Sequence, residues 1–77
     1  MININKLKAG DYIVATKTAI IGTVPYFECR KNQWLAVTKI YIMRNTVDVL
    51  SYSDNSPAAH VHLDNRFRLP YKNEVMK

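Results

Sequence analysis

The run WLAVTKIYIM, residues 34 to 43, is the densest stretch of branched and aromatic side chains in the chain. Such side chains crowd the turns of a helix and fit the pleated surface of a strand. The run is apolar at both alternating sets of positions, which predicts a central strand covered on both faces. Working outward from it, RNT (residues 44–46) reads as a turn. VDVLSY (47–52) then alternates, with Val47, Val49 and Ser51 on one face and Asp48, Leu50 and Tyr52 on the other. SDNSPAA (53–59) is a loop. HVHLDN (60–65) sets Val61 and Leu63 against the core, with His60, His62 and Asp64 opposite. RFRLPY (66–71) closes the series, with Phe67 and Leu69 as apolar positions before Pro70 interrupts pairing.

Upstream, DYIVATK (11–17) reads as the first strand, and Gly10 just before it offers the positive φ of a tight turn. Residues 18–33 form a long connection with Gly22, Pro25 and the polar cluster Arg30-Lys31-Asn32-Gln33, and TVPYFE (23–28) within it is a candidate short strand or extended arm. No apolar stripe of period 3.6 is long enough for a helix. The class is therefore all-β, with five short strands and one long loop after the first.

The chain has 77 residues, 48% of them hydrophobic, which supports one modest core and leaves little room for a separate walled cleft. A single domain over 1–77 is expected, ordered over about 6–71 with frayed ends, and its stability should be only about 3–5 kcal/mol. The lone Cys29 excludes an internal disulfide, and the start, MININ, has no long apolar run like a signal peptide. A cytoplasmic location is therefore expected. No run approaches about 18 apolar residues, so no membrane-spanning helix and no membrane partner are expected.

Eleven Lys and Arg against six Asp and Glu give a net charge of +5, scattered along the chain and without a basic tail. A polyanionic partner is one consequence to test. The loop PYFECRKNQW (25–34) is the leading binding segment: Tyr26, Phe27 and Trp34 bracket Arg30 and Lys31, and flat apolar surface beside cations suits a protein partner or a stacked base. In the alternative, Phe27 and Trp34 only plug an open barrel end. Lys39, Arg44, Arg66 and Arg68 are candidate phosphate contacts, the last two presenting their guanidinium forks on one face.

Two reactive readings are weighed and set aside. His60, His62 and Asp64 resemble the opening of the His-x-His-x-Asp-His motif of metallo-β-lactamase-like hydrolases, but Asn65 stands where the last ligand would be. Strand alternation alone explains the spacing, and Asp48 is the one further donor within reach, so no metal or other cofactor is expected. Cys29 lies beside Arg30 and Lys31, which favours a thiolate, but it lacks an adjacent base; it reads as a small apolar residue and no catalytic residue is assigned.

The segments KLKAGDYIVAT (6–16), KIYIM (39–43) and HVHLDNRF (60–67) are similar to a pattern in small bacteriophage SH3-like β-barrel proteins: Lys-x-Gly-Asp plus an apolar strand, a Tyr-x-apolar strand, then His-x-apolar and a late Phe. The resemblance covers roughly residues 6 to 69, and Thr38 replaces the glycine usual before the Tyr strand. It implies a curled, SH3-like five-stranded barrel and a non-catalytic phage accessory protein, acting in the cytoplasm of a bacterial host by binding and modulating a host or defence protein. A nucleic-acid or small-nucleotide binder using the basic, aromatic surface is the alternative.

Overall fold

The computed structural model describes residues 2–21, 27–51 and 59–74. Its strands are β1 (Tyr12–Ala15), β2 (Ala19–Ile21), β3 (Phe27–Cys29), β4 (Trp34–Tyr41), β5 (Thr46–Ser51), β6 (Ala59–His62) and β7 (Phe67–Arg68). Two 3₁₀ turns, Ile4–Lys6 and Ile42–Arg44, are the helical elements among the described residues. Neither is long and apolar enough to cross a membrane. The class is all-β, as the side-chain composition predicts.

Five strands form one antiparallel sheet in the order β6-β5-β4-β1-β7, and β2 pairs with β3 as a separate hairpin. Thus β4 is central, but the sheet is open: β6 and β7 are its two edges and are not hydrogen-bonded to each other, so the expected closed barrel is not formed. The connection after β1 is also more than a loop. It carries the β2–β3 hairpin, whose β2 lies against β6. The branched pair Ile20-Ile21 is the local strand signal there, and its cross-strand pairing with β3 makes the arm regular.

The two-faced apolar character of β4 has a cause that alternation hides. Leu35 and Val37 are buried on the core face, and the register then shifts between Val37 and Lys39, so that Ile40, not Lys39 or Tyr41, returns to that face opposite Val47. A β-bulge of this kind inserts one residue and reverses the parity of everything after it. Thr38 is the inserted residue, and its hydroxyl donates to the carbonyl of Asp48 at 3.2 Å. The strand is consequently fully covered on one face only: on the other Trp34, Ala36 and Tyr41 are half-buried, and Thr38 and Lys39 are exposed, in place of the full cover predicted for the run.

The core lies on the inner face of the sheet. Ile13, Ala15, Leu35, Val37, Val47, Val49, Val61, Leu63 and Phe67 fill it, and the arm adds Ile21 and Cys29. Each Val, Leu, Ile and Phe among them contributes on the order of 1.5–3 kcal/mol by leaving water. Ile2, Ile4 and Leu7 also pack into it. The segment from Ile2 to Leu7, placed outside the ordered range by the sequence as far as Asn5, thus contributes to the core. At the other end Arg68 makes two hydrogen bonds to Glu74, at 2.7 and 2.9 Å, and lies 4.0 Å over the Tyr71 ring, so the chain is clasped as far as Glu74. Leu69, predicted to point inward, is exposed because pairing in β7 stops at Arg68.

Two backbone positions fix the turns. Gly10 takes φ +97°, as expected, where its N–H donates to the carbonyl of Val37 at 2.8 Å. Asn45 is left-handed, with φ 54° and ψ 41°, a conformation its short amide side chain tolerates. Its side-chain Nδ2 donates to the carbonyl of Leu63 at 3.1 Å, tying the β4–β5 turn to the end of β6.

Candidate functional site

The cross-strand register sorts the predicted binding residues. Ala19, Ile21 and Cys29 face inward on the arm, and Ile20 and Glu28, directly opposite each other, face outward. Ile20 is 67% exposed. Arg30 follows at the base of β3 with its side chain 82% exposed, loosely paired to Glu28 at 3.7 Å, and Lys31 beside it is exposed. The arm thus turns an apolar side chain and several charges outward while its inner face is anchored in the core. Cys29 belongs to that inner face and is buried, which fits the small apolar reading and denies it the exposure a reactive thiol needs. Tyr26 and the side chain of Phe27 lie outside the described residues.

Trp34 is elsewhere. It pairs across from Val14, which in turn pairs with Arg68, on the outer face of the sheet, and its ring lies tilted against Tyr12 at 5.8 Å. It is neither a plug for the end of a barrel nor part of the arm surface; with Tyr12 and Arg68 it neighbours Val14, which is fully buried on that face.

The two arginines predicted to offer open forks already hold carboxylates. Arg66 donates through Nε to both oxygens of Asp64, at 2.9 and 3.1 Å, and its backbone N–H donates to the same Oδ1 at 2.9 Å, closing the turn between β6 and β7. Burial by itself would raise the Asp64 pKa, but these bonds and the Arg66 charge outweigh it and hold the carboxyl below its usual range. Arg68 is held by Glu74, which raises the pKa of the guanidinium further. The sequence places both arginines correctly beside Phe67 but is silent on their partners. Lys39 and Arg44 remain exposed, with the Lys39 ammonium 5.2 Å from the centre of the Tyr41 ring.

Alternation does not show the most organised polar group. Because of the bulge, Lys39, Asp48 and His60 form one row across β4, β5 and β6 on the outer face, and Tyr41, Thr46 and His62 form the next. Asp48 binds two of these neighbours at once. Its Oδ1 lies 2.7 Å from His60 Nδ1, and its Oδ2 accepts from the Tyr41 hydroxyl at 3.0 Å. The Tyr41 and His60 rings meet edge to face at 5.0 Å. Burial pushes the Asp48 pKa up, but the bonds from His60 and Tyr41 and the nearby positive charges of His60 and Lys39 outweigh that, and the net shift is downward. An ionised carboxylate only accepts, so the hydrogen between the two groups is carried by His60 Nδ1.

Asp64, considered as a third ligand beside His60 and His62, is occupied by Arg66 instead. Among the described residues no group of three or more His, Cys, Asp and Glu side chains is arranged to hold a metal ion. Fold and surface together define a small, open-sheet, all-β protein with a docked hairpin arm and a polar outer face. The chain matches no protein-family model, no curated protein sequence and no solved structure.

Proposed function

We propose that the chain is a non-catalytic binding protein, and that the outer side of the β2–β3 arm is its contact surface. The observation that carries this reading is the arm's asymmetry: Ile21 and Cys29 are fixed in the core, and Ile20, Glu28, Arg30 and Lys31 face solvent on the opposite side. An apolar side chain on a rigid support, rimmed by charge, is the composition of a protein interface and orders little on binding.

The finer readings rest on the sequence resemblance. In them the domain is an SH3-like barrel opened at one seam, and the protein is a bacteriophage accessory factor that modulates a host or defence protein in the bacterial cytoplasm. The strand count of the main sheet, and an arm lying against the edge strand β6, support the SH3-like part.

The alternative, a nucleic-acid or nucleotide ligand, loses the fork of Arg68 to Glu74 and shares Arg66 with Asp64, and rests mainly on the exposed Arg30, Lys31, Lys39 and Arg44. The two readings separate in one experiment. Tagged protein is used to capture partners from bacterial lysate with and without nuclease, beside the double variant Ile20→Asp/Arg30→Glu. A host protein retained regardless of nuclease, and lost with the double variant, is the expected result. Retention that survives the double change rejects the arm; retention abolished by nuclease moves the function to nucleic acid, whose affinity should then fall steeply with salt.

A further inference from the structure

We propose that His60 and His62 form a two-histidine chelate for a divalent transition metal ion of the imidazole-binding class, represented here by Zn2+, with Asp48 as the residue that positions the first ligand. The histidines are alternate residues of β6 and share the outer face, so their Cα atoms are roughly 7 Å apart and their rings can converge on one ion. Zinc takes neutral imidazole nitrogen at about 2.0–2.1 Å.

His60 already has the arrangement that a metal ligand requires. Its Nδ1 is held by Asp48 at 2.7 Å, and the ring is braced edge-on by Tyr41, whose hydroxyl holds the other Asp48 oxygen. Ligating histidines are supported in this way, the carboxylate fixing the tautomer and turning the other nitrogen toward the ion. A polar strand face that served only solubility would not need a ring constrained on two sides.

Two observations at His62 extend the site. His62 is exposed and makes no hydrogen bond among the described residues, so its ring is available to turn toward His60. Directly across from it, Thr46 is 1% exposed and its hydroxyl has no hydrogen-bond partner. A buried polar atom left unsatisfied is uncommon, and an internal water is its ordinary partner. The neighbouring charges permit a cation. Lys39 lies on the far side of Asp48, over the Tyr41 ring, and the positive charge of Arg66 is paired with Asp64. Imidazole selects zinc, copper and nickel over calcium and magnesium. Two protein ligands leave the other positions to water or to the same pair on a second copy, which agrees with the absence of a three-ligand group among the described residues.

Calorimetric titration of Zn2+ into the metal-free, intact chain tests this directly. The expected result is one saturable event, at one ion per chain or one per two chains, that disappears in His60→Gln and in His62→Gln and weakens about 10- to 100-fold in Asp48→Asn. His62 is exposed, so His62→Gln should melt with the wild type in the absence of zinc and is a clean reporter. No saturable uptake by the wild type overturns the proposal. So does zinc binding unchanged in His62→Gln, which would place the ion elsewhere.

Discussion

Asp48 is the residue on which the outer face is organised, and its chemistry gives the protein a pH signature. Its carboxyl is held below the usual 3.8 because His60 and Tyr41 bond to its charged form despite its burial. A carboxylate whose folded pKa lies below its unfolded one adds stability that is fully present above the unfolded value and is lost as pH falls through the folded one. Wild type should therefore melt above Asp48→Asn at neutral pH, and the gap should narrow as pH falls below the unfolded value of 3.8 and through the lower folded one. Melting curves across that range check it; a gap constant with pH would mean that Asp48 gains nothing from its ionised state. Asp64 is shifted in the same direction, so the variant should retain part of the acid sensitivity. The sequence shows Asp48 as an outward-facing strand residue within reach of the histidines. That it grips one of them, with Tyr41 as the third member, depends on a register that no local pattern encodes.

Among the elements, the β4–β5 turn shows how backbone and side chain share one task. Asn45 combines a left-handed backbone with a bond from Nδ2 to Leu63, and the two contributions are separable. Asn45→Ala should cost about 1–2 kcal/mol for the backbone conformation plus about 1 kcal/mol for the lost bond, whereas Asn45→Gly should recover the first and keep only the second deficit. Denaturant unfolding of the three proteins measures the difference, and equal losses in both variants would assign the whole effect to the hydrogen bond. The turn was legible as RNT, and so were β1, β5 and the apolar face of β6. The arm was not, because the Ile20-Ile21 signal is short and becomes a strand only when β3 pairs with it. The covered face of β4 was misjudged for a related reason: a one-residue bulge at Thr38 makes two half-patterns of opposite parity look like one run that is apolar on both sides.

For the molecule as a whole, a core this small leaves little margin. Leu35 is fully buried at the centre of the sheet, and Leu35→Ala should cost about 2–5 kcal/mol, comparable with the total of about 3–5 kcal/mol expected of a domain this size. The variant should be largely unfolded at room temperature by circular dichroism; a cooperative melt close to that of the wild type would show that the core holds more stability than its size implies. Composition and side-chain branching alone determined the all-β class, the single core, and which faces of β5 and β6 are buried, because those properties depend on neighbours two residues apart. The tertiary structure alone decided that the sheet stays open, that Arg66 turns its Nε to Asp64 and Arg68 its fork to Glu74, and that Asp48 meets His60 and Tyr41. Each of these joins groups on different strands or across a turn, and their meeting is set by hydrogen-bond register and the Thr38 bulge, which sequence periodicity does not contain.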